Sequence, residues 1–96
     1  MTTFTDNNDR EWRVDVTVGT ARDCRRLLEF DICELPGDIE KVGRLRSDDI
    51  LLADVLYLCC REQCEQRNVT DEQFGRLLCG DVIDRAEDAL WDSLTA

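Results

Sequence analysis

Six cysteines are the residues in this sequence best able to do chemistry, either as thiolate nucleophiles or as metal ligands. Cys59, Cys60 and Cys64 crowd one segment, while Cys24, Cys33 and Cys79 stand apart. A structural zinc site draws on pairs of cysteines two residues apart at a chain reversal, and no such pair occurs. The spacing therefore argues for thiols used as small apolar side chains, with neither metal nor cofactor expected. Histidine is absent altogether. That removes the commonest general base, the usual serine- and cysteine-hydrolase arrangements and most catalytic zinc sites. The five glycines are scattered singly, so no phosphate-cradling loop or dinucleotide fingerprint is present. Carboxylates cluster at Asp48-Asp49, Asp71-Glu72 and between Asp84 and Asp88. They fall at helix starts, where the dipole favours them, or along a solvated face, and no EF-hand spacing appears. Nothing here makes an enzyme, and the expectation is a non-enzymatic, protein-binding domain.

Charge narrows the partners. Twelve basic against 22 acidic residues leave −10, with no basic cluster to neutralise phosphates, so neither nucleic acid nor an anionic membrane surface is expected as a partner. The apolar runs 50–53 and 55–60 are split by Asp54 and are too short to span a bilayer. The first ten residues are polar, carry Asp6 and Asp9, and do not read as a secretory signal, which points to the cytoplasm and to reduced thiols.

Ninety-six residues make one domain. Residues 1–10 lack periodicity and are expected to fray, leaving 11–96 as a single α+β domain, predominantly helical with a small N-terminal β element. Trp12, Val14, Val16 and Val18 alternate with polar residues, which predicts a strand over 12–18. The stretch 30–35 also alternates and is a candidate partner strand, since a lone strand would leave backbone groups unsatisfied. Gly19 is expected to break the first strand and Thr20 to cap a short helix. Ile39, Val42 and Leu45 predict another short helix, and Ser47 is expected to cap a long central one running to Arg67. In that helix 50–60 is apolar around most of its circumference, so burial on several sides is expected. Asn68 suits a left-handed helix end, Thr70 and Gln73 form a capping box, and Val69 can staple to Phe74. A last amphipathic helix carries Val82, Ile83, Ala86, Leu90 and Leu94.

Trp12 belongs to the apolar face of the first strand and is expected in the core. Trp91 lies beside the terminal stripe rather than in it, leaving that helix with more apolar surface than one internal contact needs. The candidate protein-binding residues are therefore Leu90, Trp91 and Leu94 on the terminal helix and Tyr57 on the central one, with a place in the core as the alternative reading of each.

Two stretches, WRVDVTVGTARD (12–23) and DVLYLCCREQCEQRNVTDEQFGRLLCGDVIDRAEDAL (54–90), carry a resemblance. The chain resembles a family of small proteins encoded in phage and prophage tail modules, similar to the tail assembly chaperones of long-tailed bacteriophages. The similarity spans roughly residues 12 to 94. Its most specific pieces are DVLY with Cys60 and Gln63, the VTDEQF helix start and the Gly80-Asp81 pair. The resemblance implies a protein made in the host cytoplasm that binds the tape-measure protein and keeps its apolar helices soluble until tail-tube protein polymerises around it. It also implies self-association into a homo-oligomer. The competing expectations are a structural adaptor retained in the virion and an acidic DNA mimic that inhibits a host enzyme. The latter needs regular rows of carboxylates, and arginines at 44, 46, 61, 67, 76 and 85 interrupt them.

Overall fold

A computed structural model describes residues 2–95. Strands β1 (Thr3–Thr5) and β2 (Glu11–Arg13) precede helices α1 (Val18–Leu28), α2 (Ile39–Ser47), α3 (Asp49–Gln66), α4 (Asp71–Leu77) and α5 (Asp81–Thr95), with a 3-10 helix at Ile32–Gly37 between α1 and α2. The architecture is α+β and mostly helical, as the periodicities imply. No helix among the described residues is long and apolar enough to cross a membrane.

The β element differs from expectation. Its partner is the N-terminal segment, not 30–35: β1 and β2 are antiparallel, with Phe4 opposite Trp12. Residues 3–5 therefore do not fray, and Phe4 is a buried core residue. The organising group is Asp6. Its carboxylate accepts from the backbone N–H of Asn8 at 2.8 Å and of Arg10 at 3.1 Å, from Arg10 Nε at 3.3 Å and from Trp12 Nε1 at 2.9 Å. Burial pushes the Asp6 carboxyl up, but these hydrogen bonds and the Arg10 charge together hold it below the usual carboxylate range. Asp9, in the left-handed region at φ 59°, completes the turn. A polar segment without periodicity thus folds through one side chain.

The expected strand 12–18 ends at Arg13. Trp12 and Val14 are buried as the alternation implies, but Val16 N–H donates to Ser93 Oγ at 3.1 Å and Val18 begins a helix, 76% exposed. The switch is made by Thr17, not Thr20: Thr17 Oγ1 accepts from Thr20 N–H at 3.1 Å, and Gly19 is tolerated within the first turn. Residues 32–35 are not a strand because Asp31 Oδ1 accepts from Cys33 N–H at 3.0 Å and starts the 3-10 helix. Its three-residue turn sends both Ile32 and Leu35 into the core. Helix α3 is capped by Asp48, whose Oδ1 accepts from Leu51 N–H at 3.0 Å, while Ser47 closes α2.

The central helix α3 is the core's axis, burying Leu51, Leu52, Val55, Leu56, Cys59, Cys60 and Cys64. It lies against α1, α2, α4, α5 and β2. Trp12 and Tyr57 both meet the Phe74 ring edge-on, at 5.2 and 6.0 Å between centroids, joining β2, α3 and α4. Arg67 lies 4.5 Å over Trp12. Gln63 ties the hairpin to α3 in a different way. Its Oε1 accepts from Arg13 N–H at 2.9 Å and its Nε2 donates to Arg13 C=O at 2.7 Å, supplying the hydrogen bonds a third strand would make. A two-stranded ribbon this short does not stand alone.

Asn68, at φ 57°, ends α3, and Thr70 and Gln73 form both halves of the capping box that starts α4. Gly80, at φ 56°, turns the chain from α4 into α5, a conformation glycine adopts without a side-chain clash.

Candidate protein-binding surface

The sequence-derived binding residues do not form one surface. Leu90 is fully buried, so it is a core residue and presents nothing to a partner. The apolar stripe on which it lies is the face α5 turns inward with Val82, Ala86 and Ala89. Trp91 and Leu94 are half-buried and pack against the core. Arg46 of α2 lies 5.7 Å over the Trp91 ring and also reaches Glu87 at 3.9 Å, so this flank of α5 is covered from within the chain. The Trp91 Nε1 atom is buried without a hydrogen-bond partner among the described residues. Tyr57 is half-buried and meets Phe74 of α4 edge-on.

The thiols are equally committed. Cys24, Cys59, Cys60 and Cys64 are buried, and Cys33 and Cys79 exposed. Burial pushes the Cys24 and Cys64 thiols up to about 11 and Cys60 to about 12, and pushes Cys59 up as well, so all four are protonated at neutral pH. Among the described residues, no three Cys, Asp or Glu side chains converge to hold a metal ion.

Two clefts remain. The first, about 470 Å³, lies between α1 and the C-terminal half of α3, and most of the charges that line it have partners. Asp23 binds Arg61 at 2.6 Å and Arg26 at 3.3 Å, and Asp15 binds Arg13 at 3.0 Å. The second, about 540 Å³, is a groove between the first two turns of α3 and the α4–α5 junction. Ile50, Ala53, Leu78 and Ile83 supply its apolar surface, Asp49 and Asp54 its charge, and Gly75 and Gly80 lengths of bare backbone. No basic residue lines it. Ile50 is 76% exposed, one of four large aliphatic side chains so placed among the described residues.

Helix phase explains the groove. Leu51, Leu52, Val55 and Leu56 turn inward, which leaves Ile50, Ala53 and Asp54 on the opposite arc of the same two turns. Gly80 then bends the chain so that Ile83 comes alongside Leu78. Burial raises the Asp54 carboxyl, and the neighbouring charges of Asp71 and Asp48 raise it further. The groove is thus apolar at its base and negative at its edge. Sequence reasoning missed it because 50–60, apolar around most of its circumference, is expected to be buried on several sides. The available signal was Asp54, which interrupts that run, together with two glycines near the α4–α5 break.

The fold and groove define a small α+β domain with an acid-edged apolar groove. The chain matches no family model, no curated protein and no solved structure.

Proposed function

We propose that this protein is a non-enzymatic tail assembly chaperone, which binds the tape-measure protein during phage tail morphogenesis and keeps its apolar helices soluble. The reading joins the resemblance carried by 12–23 and 54–90 to one structural observation, the apolar groove of Ile50, Ala53, Leu78 and Ile83. An exposed apolar groove between helices suits a client whose own helices are apolar. A net charge of −10 keeps the complex from associating further. The chemistry inside the fold is compatible with this: buried thiols are held protonated, and Asp15 and Asp23 of the polar cleft are tied to arginines. Work of this kind belongs in the host cytoplasm, before the tail tube closes around the client.

Co-expression with the tape-measure protein of the same genome tests the reading. The expected result is a client recovered in the soluble fraction and copurifying with this chain. An insoluble, unbound client would remove the chaperone role, and the presence of this chain in purified virions would then favour the structural adaptor.

A further inference from the structure

We infer that the groove formed by Ile50, Ala53, Leu78 and Ile83, edged by Asp49 and Asp54, takes a basic amphipathic helix from another protein. This deepens the protein-binding reading and rests on it.

The occupant's shape follows from the walls. All lining residues except Gly80 and Leu78 lie within α3, α4 or α5, and those two lie in the turn between α4 and α5. No strand edge is offered, so an extended peptide would find no ladder of backbone groups to pair with. A helix brings apolar side chains at three- and four-residue spacing and needs no backbone partner. Gly75 supports this. It lies within α4, where glycine is destabilising by roughly 0.5–1 kcal/mol relative to alanine, and no left-handed backbone requires it there. A Cβ built at Gly75 meets nothing within 4 Å, so the protein's own packing does not require glycine either. What the missing side chain leaves is open space along the groove wall, where another helix can approach closely.

The occupant's charge follows from the edge. Asp49 and Asp54 line the groove without a basic neighbour in it, and Asp48 and Asp71 add negative charge close to Asp54. Lysine or arginine flanking an apolar helix face would meet these carboxylates. A second copy of this chain is the wrong occupant: each copy carries −10, and docking would bring like charges together.

The test uses two synthetic helical peptides of about 18 residues, long enough for about five turns. They share one leucine face and differ in carrying lysine or glutamate elsewhere. Binding to the full chain is followed by amide NMR shifts and by titration. The lysine peptide should shift amides at 50–54 and 75–83, and the glutamate peptide should bind at least about tenfold more weakly. Because a chain of this charge attracts any cationic peptide, three variants locate the effect. Gly75→Leu, which changes no charge, and Asp54→Lys should each weaken binding about tenfold or more. Glu40→Lys makes the same charge change on α2, away from the groove, and should have much less effect. Equal binding of both peptides, shifts centred elsewhere, or an unchanged affinity in Gly75→Leu would each overturn the proposal. So would self-association that shifts the same amides as protein concentration rises. If the lysine peptide behaves as expected but the tape-measure client is not bound, the groove's chemistry stands and the chaperone role falls. If the client binds and Gly75→Leu does not weaken it, the reverse holds.

Discussion

Replacing Asp6 by asparagine changes one oxygen for one nitrogen and should cost the domain much of its stability. The carboxylate accepts four hydrogen bonds, two at each oxygen: backbone Asn8 and Arg10 at Oδ1, Arg10 Nε and Trp12 Nε1 at Oδ2. An asparagine keeps an acceptor for one pair and turns an NH2 donor toward the other. If the backbone pair is kept, the indole N–H of Trp12 faces that donor inside the core, where Trp12 is fully buried. Hydrogen bonds to a charged group contribute about 1.5–3 kcal/mol, and a buried donor left unsatisfied costs about 1–3 kcal/mol. A loss of about 3 kcal/mol is therefore expected, against a total of about 5–14 kcal/mol for a domain this size. In thermal unfolding followed by circular dichroism this corresponds to a drop in Tm of about 12–24 °C. The dependence on pH carries a second signature. Because the folded carboxyl lies below its unfolded value, its contribution is fully present above about pH 4–5 and is lost as pH falls through the folded value. The gap between the parent protein and Asp6→Asn should accordingly narrow below about pH 4. A gap under about 1 kcal/mol at pH 7, or one that does not change with pH, would refute the assignment of Asp6 as the organiser of the hairpin.

Three other outcomes are expected. In native protein a thiol reagent should label two cysteines quickly, Cys33 and Cys79, and all six only after unfolding, and fast labelling of Cys60 would contradict its burial. The same buried thiols make the fold labile to alkali: the unfolded chain gives up these protons near about pH 8.5, Cys24 and Cys64 hold theirs to about 11, and stability measured by urea denaturation should fall across that window. Leu90→Ala should cost about 2–5 kcal/mol by the same denaturation assay, whereas a surface-exposed Leu90 would give almost no change.

Gly75→Ala should raise stability by roughly 0.5–1 kcal/mol, since the added Cβ meets nothing. A loss of stability would mean that the position is crowded within the chain rather than open to a partner.

How far the fold was legible depended on whether a pattern had one physical cause. The capping box at Thr70 and Gln73 and the left-handed Asn68 each follow from local chemistry, and each appears where the residues require it. The alternation of Trp12 and Val14 marked a strand, but its partner was not legible. Asp6 gathers donors from Asn8, Arg10 and Trp12 that are close only after the turn forms. Residues 32–35 failed for another reason. A spacing of two and then three fits either element, and Asp31 decides it by capping Cys33.

The candidate site was the least legible part, because the same apolar helix supplies both core and groove, and only the packing of α4 and α5 decides which side chains of 50–54 remain outside. The motifs that carry the resemblance are mostly joints of the fold. Gln63 and Cys60 both contact the Arg13 carbonyl, and Gly80 makes the turn into α5. Residues of this kind hold the fold together, while a partner is chosen by the side chains around them.

The most direct measurement is the amount of tape-measure protein recovered in soluble complex when co-expressed with the parent chain and, in parallel, with Gly75→Leu. The account predicts a soluble, copurifying client with the parent and little or none with the variant, although the variant is folded by circular dichroism. A client that is equally insoluble in both cultures would contradict it.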